Sequence, residues 1–348
     1  MIRYCQAREL PVRRTGKIVV ATAEEQLPRL AELAVRGAKN GVTLHPLSRA
    51  EIAEREPHIT GVAGLAVAET AITDFRRVCQ SMADEVGELG AELRRDAPAS
   101  HFTTSNDRTI VSTPSEEIAA RVVVNCAGLH SDTVAEAMGH HPQVRIMPFR
   151  GEYAEVVPER RNVVSVPVYP VPDPDLPFLG VHVTPMLDGA VHIGPNAVLA
   201  FAREGYRWRD IDVHMVRRML ADPALYGLAR RFGRFGLGEY GRSAFRPLFV
   251  RAVRRMIPDI SGKDLRRTGS GVRAQAVTTT GQLVDDFVIS RVRGSIHVLN
   301  APSPAATSSL LIGQVIAADA FHQLGVEDVA QGIRASLKAV TEVAHEEV

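Results

Sequence analysis

Residues 296–324 read IHVLNAPSPAATSSLLIGQVIAADAFHQL, and this stretch restricts the fold more than any other. Ile296 to Leu299 is an apolar run of strand length. A loop of small residues follows, Asn300, Ala301, Pro302, Ser303, Pro304, Ala305 and Ala306. From Thr307 the spacing turns helical, with Leu311, Ile312, Val315 and Ala318 as the apolar stripe. A strand that runs through a small-residue loop into a helix belongs to an α/β architecture. Small side chains let a ligand reach the backbone, and the first N–H groups of a helix have no internal partner. On this stretch alone, an ordinary strand-to-helix turn is the competing reading.

The remaining chain divides by pattern. Residues 17–21 (KIVVA) and 62–67 read as strands. Residues 24–38 have helical spacing, and a short helix follows Ser48, with Glu51 at the capping-box position. Residues 74–89 form a helix capped by Asp74, with Val78, Met82, Val86 and Leu89 as its apolar stripe. Residues 91–94, 109–113 and 117–119 are strand-like, and 121–125 reads as a buried strand ending at Cys126-Ala127-Gly128. Cys126 reads as a packed small hydrophobe. From 144 to about 260, short strands (153–157, 163–169, 181–185, 191–193) alternate with turns such as Pro172-Asp173-Pro174-Asp175. That predicts a mostly antiparallel sheet, to which 17–21 contributes. Helices are expected at 211–220, 224–232 and 247–256, then strands at 283–290 and 296–299. One GxGxxG occurs, Gly236 to Gly241, but the arginine-rich segment before it is no buried strand, so it reads as a decoy.

Composition excludes several classes. A net charge of +1 gives no electrostatic reason for nucleic-acid binding. Three dispersed cysteines without a CxxC fit a reducing, cytoplasmic setting and no zinc site. No run of 18 apolar residues occurs, and the first residues lack the apolar core of a secretory signal.

Several blocks together resemble the L-2-hydroxyglutarate oxidase/dehydrogenase family, a branch of the FAD-dependent D-amino-acid-oxidase-like enzymes. They are RTGKIVVA (14–21), VVNCAGLHSD (123–132), PFRGEY (148–153), YPVPDPDLPFLG (169–180), GPNAVLAFAREGY (194–206), GVRAQ (271–275), VDDFV (284–288) and NAPSPAATS (300–308). The resemblance spans about residues 10–325. It implies an α/β (α+β overall) fold with a Rossmann-like FAD-binding domain from 72–143 and 262–325. A substrate domain built on an antiparallel sheet from 12–71 and 144–261 is set into it, and 326–348 forms a tail. It further implies that the first βαβ unit, with its glycine fingerprint, is absent from this chain.

The resemblance implies FAD as cofactor, contacted by Asn125, Ala127 and Gly128 on the ADP side and by Gly271 and residues 300–307 on the flavin side. It implies a 2-hydroxy dicarboxylate as substrate and oxygen or a quinone as electron acceptor, and it leaves peripheral membrane contact open. Oxidising a 2-hydroxy acid needs an anchor for the carboxylate and a base for the hydroxyl proton. Arginine suits the first role because its planar fork meets a carboxylate bidentately. Arg273 is expected there, and Arg150 is expected to hold a second carboxylate or support the flavin. Tyr169 is expected to cap a carboxylate, His182 to act as base, and Asn196 and Gln275 to bind substrate or ring edges. A structural ion pair for the arginines and simple packing for His182 are the competing readings. Two other functions remain open at this point: a fragment that needs a separate N-terminal FAD-binding polypeptide, and a binding protein without activity.

Overall fold

The computed structural model describes residues 1–346 except Asn106 and 173–179, with side chains described to residue 338. The expected turn at 172–175 therefore lies mostly outside the described residues. The chain opens with α1 (Ile2–Ala7), β1 (Val12–Arg14), β2 (Lys17–Ala21), α2 (Leu27–Lys39) and β3 (Leu44–Ser48). Next come α3 (Arg49–Arg55), β4 (Ala63–Val67), β5 (Ala71–Thr73), α4 (Phe75–Glu88), β6 (His101–Ser105), β7 (Arg108–Ser112) and β8 (Glu117–Ala120). β9 (Val123–Asn125), α5 (Ser131–Ala137), β10 (Val144–Val156), β11 (Val168–Pro170), β12 (His182–Pro185), β13 (Val191–Gly194) and β14 (Val198–Leu199) follow. The last third holds α6 (Val213–Ala221), α7 (Pro223–Ala244), α8 (Arg246–Val253), β15 (Leu265–Thr278), β16 (Val288–Val292), β17 (Ser295–Asn300), α9 (Ser309–Gln323) and α10 (Glu327–Glu346).

Local chemistry sets many of these boundaries. Ser48 and Glu51 form the reciprocal capping box that starts α3. The Asp74 carboxylate accepts from the N–H groups of Arg76 and Arg77 at the start of α4. Of the stripe expected on α4, Val78 is buried, whereas Val86 and Leu89 are exposed. Ile316 and Ala318 are the buried residues of α9, and Leu311 points away from the core.

Among the described residues, a nine-stranded sheet has the order β14-β10-β13-β12-β11-β2-β4-β3, with β15 on the other edge of β10. β2 pairs parallel with β11 and antiparallel with β4. The alternation along β2 separates two cores. Ile18 and Val20 join Ile52, Val168, Val253 and Ile257 on one side, beneath α3 and α8. Val19 and Ala21 meet Leu30 of α2, together with Leu65 and Val171, on the other.

β9, β17 and β16 make a second, three-stranded sheet in which β9 and β17 run parallel. The loops at 126–128 and 301–307 therefore leave the same, carboxyl end of that pair. β9 is less buried than expected: Asn125 is buried, Val124 is 39% exposed, and Cys126 is exposed rather than packed.

The structure departs from the sequence reading in several places. Residues 91–94 are not a strand. β6, which extends the β7–β8 pair, has no apolar alternation to announce it. α7 runs straight through the GxGxxG at 236–241, which bears out its reading as a decoy and carries the helix past the end expected at 232. The largest departure is β15, which pairs with β10 from Val144↔Thr278 to Val156↔Leu265 and so lies in the large sheet. The boundary expected at 262 had grouped this stretch with 72–143. The sequence LRRTGSGVRAQAVT mixes charge and glycine without an apolar period, so its strand nature comes from its partner.

Candidate active site

A cleft of about 1320 Å³ opens on the α2 side of the large sheet. Ligand sites are commonly a few hundred to a thousand Å³, so it has room for a planar ring and a small acid together. Four strands bring side chains to it through their two-residue alternation. Lys17 and Val19 come from β2, Tyr169 from β11, His182 and Thr184 from β12, and Phe149, Gly151 and Tyr153 from β10. β15 adds Gly271 and Arg273, the latter opposite Phe149. Asn196, Ser303, Pro304 and Thr307 add to the lining, and Arg3, Arg14 and Glu69 also border it.

The electrostatics of the lining are set by burial. The Tyr169 and His182 rings stack 4.2 Å apart and nearly parallel. Burial lowers the His182 pKa to about 4; a hydrogen bond to the Gly180 carbonyl opposes this and the Arg273 charge adds to it. His182 Nδ1 lies 3.4 Å from that carbonyl oxygen. A carbonyl only accepts, so Nδ1 carries the proton and Nε2 keeps its lone pair. Burial raises the hydroxyl pKa of Tyr153 and of Tyr169. It lowers those of Arg273 and Lys17. Lys17 Nζ sits 5.8 Å from the Tyr169 ring centroid. The cleft thus gathers two half-buried cations, two phenols and a neutral imidazole.

Of the expected site residues, the structure brings Tyr169, His182, Asn196, Gly271, Arg273, Ser303, Pro304 and Thr307 together in this cleft. Arg150 is elsewhere. It is 1% exposed, donates through Nε to Glu152 at 3.2 Å and stacks over Trp208 at 4.6 Å. In β10 it pairs with Val272 rather than Arg273, so it faces away from the cleft. Gln275 is also buried elsewhere, its amide donating to the Ala276 and Val284 carbonyls. Asn300 ties Ala276 N–H to the Val284 and Asp286 carbonyls. Asn125 holds its own turn, accepting from Ala127 N–H and donating to the Ser131 carbonyl. Ala127, Gly128, Ala301, Pro302, Ala305 and Ala306 lie outside the cleft lining, in the two loops at the carboxyl end of β9 and β17.

Sequence reasoning missed Lys17, Phe149, Tyr153 and Thr184. The signal was present in PFRGEY, where every second residue, Phe149, Gly151 and Tyr153, faces the cleft. It also missed buried His297, which contacts the Asn125 amide and the Ser295 hydroxyl and stacks on His140.

The backbone around the cleft suits a flat cofactor. A side chain grafted onto Gly271 or Gly128 would meet nothing within 4 Å, so both positions leave open space over bare backbone. Gly128 also has φ +54°, which favours glycine. In open α/β sheets, ligands sit beyond the carboxyl ends of parallel strands, where both loops emerge. The family model for FAD-dependent oxidoreductases matches residues 2–319. The chain belongs to that family.

Relatives are similar over most of this chain. It is 42% identical to the L-2-hydroxyglutarate dehydrogenase of Indibacter alkaliphilus, across 91% of this chain and 80% of that protein. It is 39% identical to the Escherichia coli strain K12 protein of the same name, across 89% and 74%. Against the mitochondrial one of Homo sapiens it is 38% identical, across 91% and 72%. The fold matches FAD-bound L-α-glycerophosphate oxidase from Mycoplasma pneumoniae with a TM-score of 0.69, at 20% identity, over 91% of this chain and 74% of that one. It matches the L-proline dehydrogenase of P. horikoshii with a TM-score of 0.64, at 14% identity, over 93% and 76%. Among the described residues no helix is long and apolar enough to cross a membrane.

Proposed function

We propose that this protein oxidises L-2-hydroxyglutarate to the 2-oxo acid. Identity of 38–42% to proteins named L-2-hydroxyglutarate dehydrogenase supports this. The single structural observation that carries it is the placement of Arg273, His182 and the two phenols in one cleft with Gly271 and the 303–307 loop. Bound FAD supplies the two-electron acceptor for the hydride that leaves the substrate carbon. Gly271, Ser303, Pro304 and Thr307 would hold its ring side, and the 125–128 turn its ADP side. These are roles we assign from placement.

Arg273 binds the carboxylate next to the reacting carbon. Its partial burial strengthens that pairing, because a half-desolvated cation is poorly solvated by water. Lys17, near Tyr169, takes the distal carboxylate, and the Tyr153 and Tyr169 hydroxyls donate to carboxylate oxygens. His182 Nε2 accepts the hydroxyl proton, because burial keeps the ring neutral at pH 7 and Gly180 fixes the tautomer. Arrival of a dianion beside His182 favours the imidazolium, which makes the ring a stronger base when substrate is bound. The test is anaerobic bleaching of the flavin bands of the FAD-loaded chain by L-2-hydroxyglutarate. Lack of bleaching by it, with bleaching by another 2-hydroxy acid, would refute the substrate assignment.

The electrons then pass to oxygen or a quinone. For a quinone we propose contact with a membrane through α7 and α8, where Leu237, Phe245 and Leu248 are exposed among arginines. A second reading adds a separate FAD-binding polypeptide against the three-stranded sheet. Exposure of Val124 on β9 and Leu311 on α9 favours it. Gel filtration of the chain with and without FAD distinguishes the two: FAD retained on the chain alone removes the need for that polypeptide.

A further inference from the structure

Behind the cleft lies a smaller cavity of about 150 Å³, bordered by the start of α8, the end of α7 and the first half of β15. Its charges do not balance. Arg242, Arg246, Arg266 and Arg267 line it, with Glu152 as the carboxylate. Arg242 is already paired with Glu239, and Glu152 with Arg150. Arg246 donates to the Gly262 and Leu265 carbonyls, and Arg267 to the Ser243 carbonyl at 2.7 Å. Neither these two nor Arg266 has a carboxylate partner among the described residues. Three arginines without a carboxylate partner therefore border one small space together with Thr268 and Ser270, whose hydroxyl donates to the Tyr206 carbonyl.

The backbone creates this meeting. Between Glu152↔Ser270 and Ala154↔Arg267, one residue of β10, Tyr153, faces two of β15, Thr268 and Gly269. Such a bulge kinks the strand and re-aims its side chains. Residues 266–270 all border the cavity, and Arg267 and Arg266 follow the bulge opposite Ala154 and Glu155. The three arginines are exposed to water, and an anion in the cavity exchanges part of that solvation for charge-assisted hydrogen bonds.

We propose that this cavity is a second binding site, separate from the cleft, for a small multiply charged anion of the phosphate or dicarboxylate class. The volume is about that of five waters, which fits one such anion. Tyr153 and Asn196 border both the cavity and the cleft, so occupancy of one reaches the other through shared residues. The site does not depend on the activity proposed for the cleft.

Titration calorimetry of the purified chain at low ionic strength, with inorganic phosphate and separately with succinate, tests this. Saturable one-to-one binding is expected. Arg266→Gln should weaken it about tenfold, the loss of roughly one charge-assisted hydrogen bond. Arg266→Lys should weaken it less. Arg273→Ala should leave phosphate binding unchanged, and succinate is titrated in that variant, where the cleft no longer competes for a dicarboxylate. The anion that binds more tightly identifies the source. Arg266 is exposed and its side chain makes no hydrogen bond or ion pair among the described residues, so its variants keep the fold, and a thermal midpoint equal to wild type verifies that. Arg267→Gln repeats the measurement from an independent residue. Binding abolished by Arg273→Ala and untouched by both Arg266→Gln and Arg267→Gln would overturn the proposal, as would the absence of saturable binding.

Discussion

Arg150 and Arg273 lie on neighbouring strands one register position apart, since Arg150 pairs with Val272 and Phe149 with Arg273. That single step sends them to opposite faces of the sheet. Arg273 lines the cleft, half-buried, with the phenol of Tyr153 as a neighbouring charge partner. Arg150 is enclosed between Glu152 and Trp208, with one terminal nitrogen lacking a hydrogen-bond partner among the described residues. The Glu152 that it holds also accepts from the Ser243 hydroxyl and the Asn196 amide. Asn196 in turn accepts from Glu152 N–H at 2.8 Å and borders the cleft. Two arginines both expected near the ligand thus acquire different surroundings: one lines the cleft and the other holds the frame behind it. In a strand, residue type names the available chemistry, and parity decides where it is used.

The sharpest way to break this comparison is to remove each arginine. Arg273→Ala should lower kcat/KM for L-2-hydroxyglutarate by about a thousandfold, a loss of roughly 4 kcal/mol for a desolvated charged contact. Flavin absorbance should be retained. A steady-state profile equal to wild type would take Arg273 out of the site. Arg150→Ala should instead act on stability, by about 3 kcal/mol, because it leaves the Glu152 carboxylate without its cation and removes the stack on Trp208. Urea denaturation measures this, and a large rise in KM at unchanged stability would return Arg150 to the ligand.

A smaller effect is expected from the imidazole. His182→Asn should lower kcat about a hundredfold with little change in KM, as for loss of a general base. Equal kcat in this variant and the wild type would leave His182 as a packing partner of Tyr169. Tyr169→Phe should cost less than about tenfold in KM, one neutral-to-charged hydrogen bond at most.

A further effect lies in the pH dependence of stability. Burial lowers the His182 pKa to about 4, against an ordinary 6.5. Between these values the unfolded chain binds more protons than the folded one, so stability rises with pH. The contribution is complete above 6.5 and is lost as pH falls through 4. Burial and the neighbouring His140 lower His297 in the same direction. Thermal midpoints should therefore fall on acidification across this window, and the slope should flatten in His182→Asn. An unchanged slope would mean that the buried ring does not carry the effect.

Parts of this molecule were legible without coordinates, and the reason is local. KIVVA is apolar on both sides because β2 is covered on both faces, and the caps at Ser48 and Asp74 write their own hydrogen bonds. β15 was not legible, because its glycines and arginines acquire strand form only from β10. α7 carries four glycines between 227 and 238, which argue against a helix on propensity. It forms anyway: Asp222 caps it, and Gly227 packs so closely on Thr280 that a side chain there would collide. Within the site, the residue types at 169, 182 and 273 could be read, but the face of each strand could not, and so Arg150 and Gln275 were grouped with them. Parity along PFRGEY and GVRAQ would have separated the two sets once the pairing of the strands was known.

The most direct test of the central claim is single-turnover reduction of the FAD-loaded chain, followed by flavin bleaching, in wild type, Arg273→Ala and Arg150→Ala below their unfolding midpoints. Bleaching by L-2-hydroxyglutarate should saturate in wild type. It should keep nearly the same concentration dependence in Arg150→Ala and lose it in Arg273→Ala. The reverse pattern, with Arg273→Ala saturating like wild type and Arg150→Ala failing to saturate, would contradict the assignment of the two faces.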